Sequence, residues 1–337
     1  MATGRVRRGV AVGICAVVAA ITVCWSVFAV GSAVASQAGT AGAEDVQTAS
    51  SADPAAHAAQ IAFEIDRNRT IVSVKVGNSR PLRLILDTGM PMDGVYLFHK
   101  ELLDGVDLDD SMEVLIPGAG GGEPSKGIMA ESVPISAGEV VFGHQRAIVS
   151  LSDHTQGFPT DGVIGWSIFG HYAVELDYDE MVMTLHPPGT FSADGSWDGI
   201  PLLLRKSIPW LEASVDVVGD GPVLLDCYVD FASGEALELL ARPDAKFPVP
   251  DSLGRTYLGT GLSGDVHGGR GRVAQLSIGP HSLSDVDAVF PDAHTRSRQE
   301  GADAVIGNRL LRRFYLVFDY DAETLWVRPN SAFGEPF

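Results

Sequence analysis

The feature that most limits what this chain can fold into is a repeat. Asp161-Gly162-Val163-Ile164-Gly165 returns as Asp303-Ala304-Val305-Ile306-Gly307, and Asp177-Tyr178-Asp179 returns as Asp319-Tyr320-Asp321. Pro187 and Pro329 extend the match, so residues 303–330 repeat residues 161–188 at a constant offset of 142. A repeat of this length predicts two copies of one structural unit, with each part partnered in the other copy.

The unit reads as β. Ile71, Ser73 and Lys75 alternate with Val72, Val74 and Val76, and the run stops at Gly77-Asn78, a turn signal. Short apolar runs separated by turn residues continue to the end of the chain, which predicts an all-β fold. Trp166–Tyr172 is expected to form a short helix, and Val174–Asp179 with Met181–Leu185 a hairpin. Two lobes are expected, at residues 61–190 and 200–330.

Within lobe one, Leu84-Ile85-Leu86 delivers Asp87 into a turn at Thr88-Gly89. A carboxylate at the end of an apolar strand is costly unless it is hydrogen-bonded or used. The repeat places its partner near Asp230, in Tyr228-Val229-Asp230-Phe231-Ala232-Ser233, at an offset of 143. A glycine-rich stretch, Gly118-Ala119-Gly120-Gly121-Gly122, also recurs, as Gly259–Gly264. The second copy is expected to be a plain turn.

The N-terminus reads as a targeting segment. Arg5, Arg7 and Arg8 precede an apolar run from Gly9 to Val30, followed by Ala33-Val34-Ala35, a small-x-small pattern. Residues 1–35 are expected to be a signal peptide or, equally by length, a membrane anchor through residues 9–30. Residues 36–60, rich in Ala, Ser, Gly and Thr, read as a flexible linker. The mature part is therefore expected outside the cytoplasm, secreted or tethered at the cell surface. Cys227, the one cysteine beyond the signal, cannot form an intramolecular disulfide and is expected to be buried. A net charge of −19 argues against a nucleic-acid partner.

Other chemistries fail on the residues. Gly165-Trp166-Ser167-Ile168-Phe169 lacks the last glycine of a nucleophile elbow. Gly120–Lys126 lacks the Gly-Lys-Ser/Thr of a phosphate loop, and no His-x-x-x-His pair occurs. Asp319-x-Asp321 starts like a calcium loop but lacks the following glycine, and its repeat at Asp177-x-Asp179 argues for a hairpin turn.

Taken together, these motifs resemble those of aspartic peptidases of the pepsin and retroviral-protease type. Lobe one carries Ile85-Leu86-Asp87-Thr88-Gly89, the glycine-rich Gly118–Gly122 and Val163-Ile164-Gly165 in the order of that family. In lobe two, Val305-Ile306-Gly307-Asn308-Arg309-Leu310-Leu311 is similar to the same segment of a retroviral protease. The resemblance implies a two-lobed, all-β, pepsin-like fold and an aspartic endopeptidase with Asp87 and Asp230 as the catalytic pair. It implies Thr88, Gly89, Phe231 and Ala232 as supporting residues and Gly118, Gly120, Gly121 and Gly122 as a flap over a peptide or protein substrate. No metal or cofactor is implied, and a monomer is expected.

Lobe two departs from the family pattern. Phe231 stands where the family has a threonine whose hydroxyl locks the two loops, and Ala232 stands in place of glycine. Met90 replaces a small residue. Two further readings stay open on this ground: an inactive peptide-binding protein on the same scaffold, and a homodimer whose site is built from two Asp87 lobes. In the two-lobed enzyme, Phe231 is expected to turn away from the aspartates into the core of lobe two.

Overall fold

The computed structural model describes residues 58–106, 111–241, 245–250, 253–292 and 301–337. Residues 1–35, expected to be a signal peptide or anchor, and the expected linker up to residue 57 lie outside these. No described helix is long and apolar enough to cross a membrane.

Lobe one comprises β1 (Ala59–Asp66), β2 (Arg69–Val76), β3 (Leu82–Leu86), β4 (Gly94–Leu97), β5 (Met112–Ile116), β6 (Ser125–Ala137), β7 (Val140–Ser150), β8 (Gly162–Ile164), the one-turn helix α1 (Trp166–Phe169), β9 (Ala173–Asp177) and β10 (Val182–His186). Lobe two comprises β11 (Asp198–Pro201), β12 (Leu203–Arg205), β13 (Ile208–Asp216), β14 (Val223–Asp230), β15 (Leu237–Leu239), β16 (Arg255–Gly261), β17 (Gly264–Ile278), β18 (His281–Pro291), β19 (Ala304–Gly307), α2 (Asn308–Leu311), β20 (Phe314–Asp319) and β21 (Thr324–Pro329).

Each lobe closes on itself. The order β2-β3-β8-β4-β7-β6 returns to β2, and β13-β14-β19-β15-β18-β17 returns to β13. Closure removes the free edges that an open sheet would expose. The alternation read in β2 is the alternation of burial, with Val72, Val74 and Val76 inside and Ser73 and Lys75 exposed.

The lobes meet in a shared layer, ordered β11-β21-β20-β9-β10-β1. At its centre β20 runs antiparallel to β9, pairing Leu316 with Leu176, Val317 with Glu175 and Phe318 with Val174. The 142-residue repeat makes Val317 the counterpart of Glu175. The pseudo-twofold axis therefore passes through that one pair, as an axis between equivalent antiparallel strands must.

The repeated aspartates have a structural task. Asp161 accepts the Arg83 N–H at 2.8 Å and two bonds from the Arg80 guanidinium at 2.9 and 2.6 Å. Burial works against its charge, but Arg80 and the Arg83 amide outweigh that and hold the carboxyl below its ordinary range. Asp303 repeats the arrangement with the Asp226 N–H at 3.0 Å and Lys246 at 2.6 Å. The hairpin reading of Asp177-x-Asp179 is likewise met: Asp177 Oδ1 accepts the Asp179 and Glu180 amides, both at 2.9 Å.

Two expectations change at the edges. The first described strand starts at Ala59, inside the expected linker, and bonded structure extends past residue 330. There Arg313 donates to the carbonyls of Ala332 and Pro336 and lies 3.7 Å from the Phe337 ring centroid. These bonds give the tail a defined place that its loop-like composition does not announce.

Candidate active site

Strand order brings the two aspartate loops together. β3 and β14 are central strands, each running parallel to the strand before its short helix. Leu86 pairs with Ile164 and Asp230 with Gly307. Each strand therefore ends beside a helix start, and the loops take the same form. The Asp87 carboxylate accepts the Gly89 N–H at 2.7 Å, and the Asp230 carboxylate accepts the Ala232 N–H at 2.8 Å. The Trp166 N–H donates to the Met90 carbonyl at 3.1 Å, and in lobe two the Asn308 N–H donates to the Ser233 carbonyl at 2.9 Å.

Thr88 joins the loops. Its buried hydroxyl donates to the Val229 carbonyl at 2.7 Å and accepts the Phe231 N–H at 3.2 Å. One side chain next to Asp87 thus holds the residues on both sides of Asp230. Phe231 is fully buried and points elsewhere, with its ring 5.7 Å from Phe169 and 5.3 Å from Phe318. It leaves the aspartates as expected, but it packs where the lobes join, since Phe169 belongs to lobe one. Burying a ring this large contributes about 2–3 kcal/mol.

The hydroxyl that Phe231 lacks is offset by an unforeseen contact. Asp66–Arg69 is a tight hairpin turn with Arg67 at φ 49° and Asn68 at φ 62°, the left-handed pair of a type I′ turn. It reaches lobe two, where Arg69 Nε donates to the Ala232 carbonyl at 2.6 Å and Asn68 Nδ2 to the Gly234 carbonyl at 3.2 Å. Asn308 Nδ2 donates back to the Asn68 carbonyl at 2.7 Å.

Burial raises the Asp230 carboxyl, opposed by the Ala232 and Ser233 amides and by the Arg69 charge. Tyr228, two residues before Asp230, is pushed well above its ordinary value by burial, then by Asp230 and Asp87. It stays a neutral O–H. A Cβ at Gly89 would run into its hydroxyl, so glycine there leaves room for Tyr228 beside Asp87. The repeat pairs Tyr228 with Ile85, and that mismatch was the signal for it in the sequence.

Above the loops, the two glycine-rich tips touch. The Gly118 N–H donates to Ser263 Oγ at 3.0 Å and the Gly122 N–H to the Ser263 carbonyl at 2.6 Å. The Ser263 N–H donates to the Ala119 carbonyl at 2.8 Å. Gly259–Gly264 is therefore more than a plain turn. Gly120 and Gly264, at φ 132° and 96°, hold conformations that side chains disfavour, and a Cβ on Gly120 would strike Ser263. His154 Nε2 is 2.8 Å from the Leu262 carbonyl and ties the second tip to the body of lobe one.

This fold is the two-lobed pepsin-like fold. The chain is similar to an aspartic proteinase from Irpex lacteus, with a TM-score of 0.53 and 16% identity, over 83% of this chain and 99% of that one. No protein-family model and no curated relative matches the sequence.

Proposed function

We propose that the chain is an aspartic endopeptidase. Asp87 and Asp230 would share one proton, because two close carboxylates resist double ionisation. The ionised member takes a proton from a water held between them, while the protonated member donates to the scissile carbonyl. Attack gives a tetrahedral intermediate that collapses with cleavage of the peptide bond. Tyr228, buried against Gly89, keeps its proton beside the pair.

The observation that carries this reading is the Thr88 hydroxyl, bonded to the residues before and after Asp230. It sets the two aspartate loops against each other within one chain, as the two-lobed reading requires. The inactive-binder reading rests on Phe231 and Ala232 standing in place of threonine and glycine; the burial of the Phe231 ring against Phe169 and Phe318 supports the enzyme reading against a ring that blocks the site.

The test is peptide cleavage by the full chain from acid to neutral pH, with and without a transition-state-mimicking aspartic peptidase inhibitor. Inhibitor-sensitive cleavage by the wild type is expected, with a loss of about a thousandfold or more in kcat for Asp87→Asn and an unchanged melting temperature. Cleavage retained in Asp87→Asn would exclude Asp87 from the pair. Neither cleavage nor inhibitor binding by folded protein would overturn the enzyme reading.

A further inference from the structure

The two walls flanking the aspartates share an apolar base and differ in chemistry at two register positions. On lobe one, Tyr96 pairs with Val163 on β8 and Ile148 with Met129 on β6. Together with Ile71, Ile85, Met90 and Phe98 they form an apolar cluster. Met92 after the Asp87 loop, Val114 and Ile116 from the strand below the Gly118–Gly122 tip, and Leu262 of the opposite tip pack against it. The cluster is thus the apolar wall beneath the joined tips.

The same register in lobe two keeps an apolar base, with Trp210, Tyr228, Leu240, Ala302 and Val305 clustered, and changes two positions beside it. Glu238 pairs with Val305 as Tyr96 pairs with Val163, and Arg270 pairs with Val289 as Met129 pairs with Ile148. Arg270 is engaged, with both Nη atoms on Glu235 at 3.1 and 2.9 Å. Glu238 Oε1 accepts the Ser233 hydroxyl at 2.5 Å, and the Ser233 amide is 3.3 Å from Asp230 Oδ1. Serine is therefore a one-residue bridge from Asp230 to a second carboxyl on the lobe-two wall.

Resting on the endopeptidase reading, we propose that Glu238 determines specificity, selecting a lysine or arginine side chain of the peptide at one position facing lobe two, while residues facing lobe one are apolar. An extended peptide sends successive side chains to opposite faces, so each substrate residue meets one wall or the other. A half-buried carboxyl beside Asp230 gains most from a cation that arrives with the substrate, since it then exchanges repulsion for a charge-assisted hydrogen bond. Burial, with Asp230 and Glu235 nearby, pushes the Glu238 carboxyl up to about 7 against the opposing pull of Ser233 and Arg69. Tyr228, which also faces it, stays neutral and adds no charge. Glu238 is thus largely protonated in acid, and its pull on a cation grows as pH rises through that value.

The experiment pairs peptides that differ only in lysine against glutamine, scanned through each position around the cleaved bond. For the full chain, one position is expected to favour lysine by about tenfold in kcat/KM. The ratio is expected to rise from pH 5 to pH 8, because effects on the catalytic pair cancel between the two peptides. Glu238→Gln, which keeps an acceptor for Ser233, should bring the ratio near one at every pH. The same pair is also made as uncleavable transition-state mimics, and their Kd values are measured by calorimetry. Binding or cleavage with no lysine preference, or a preference that survives Glu238→Gln, overturns the assignment of Glu238 alone. Lysine-selective binding without cleavage supports Glu238 and counts against catalysis. Failure of every mimic to bind overturns both.

Discussion

The Asp87 and Asp230 loops share one backbone and are secured in different ways. Asp87 is followed by Thr88, a small polar residue that reaches across and makes two hydrogen bonds with lobe two, donating one and accepting one. Asp230 is followed by Phe231, whose side chain gives no bond back and is buried against Phe169 and Phe318 instead. The lobe-two loop is then held from outside by Arg69 and Asn68, from the tip of the lobe-one hairpin. The difference teaches that a duplicated fold needs the loop fixed, and that a ring in the core plus a neighbouring hairpin can replace a reciprocal hydroxyl. The lobes are symmetric in topology and divided in labour, with most of the grip supplied by lobe one.

The sharpest way to break this comparison is to remove the ring. Phe231→Ala is expected to cost about 3–5 kcal/mol, because the hole lies between side chains of both lobes and cannot collapse easily. Urea unfolding with a constant m-value would read it. Phe231→Thr, which leaves most of the ring's volume empty, keeps most of this penalty. A loss below 1 kcal/mol for Phe231→Ala would mean that the ring is not what fixes the loop.

Thr88→Ala comes next. It removes both cross-lobe bonds and leaves a buried carbonyl and amide unpaired, at an expected cost of about 2–3 kcal/mol. Activity should fall further than stability alone accounts for, since the loops lose their mutual placement. Thr88→Ser, keeping the hydroxyl, should recover most of both. Under the proposed function, a Thr88→Ala variant with unchanged kcat would show that Phe231 and the hairpin suffice without the threonine.

Much of this was legible in the sequence, for identifiable reasons. The repeat fixed two lobes because equivalent strands need equivalent apolar runs, and Asp230 followed from the offset. Phe231 was legible as a departure, and its turn away from the aspartates into the core followed from the two-lobed reading, since an apolar ring gains most by burial. The hairpin was not legible: Asp66-Arg67-Asn68-Arg69 carries a turn, but nothing local tells which distant carbonyls Arg69 and Asn68 meet. The meeting of the glycine-rich tips was hidden in the same way, since it depends on two segments 145 residues apart at the Gly118–Ser263 bond. Glu238 was missed because a single charged residue in a short β-strand looks like a solvated face until the register aligns it with Tyr96.

The smallest effect belongs to Asn68 and tests the hairpin by itself. Asn68 sits at φ 62°, where glycine is at ease, so Asn68→Gly leaves the turn in place. It removes only the 3.2 Å bond from Nδ2 to the Gly234 carbonyl. The carbonyl that Asn308 uses is backbone and survives the change. The expected cost is about 0.5–1.5 kcal/mol in the wild type. In a Thr88→Ala background the hairpin, through Asn68 and Arg69, would be the remaining hydrogen-bonded lobe-one hold on that loop. The same change should then cost more, and a double-mutant cycle should return a coupling of roughly 0.5 kcal/mol or above. Strict additivity would mean that threonine and hairpin secure the Asp230 loop independently, and the division of labour between the lobes would have to be redrawn around Arg69 alone.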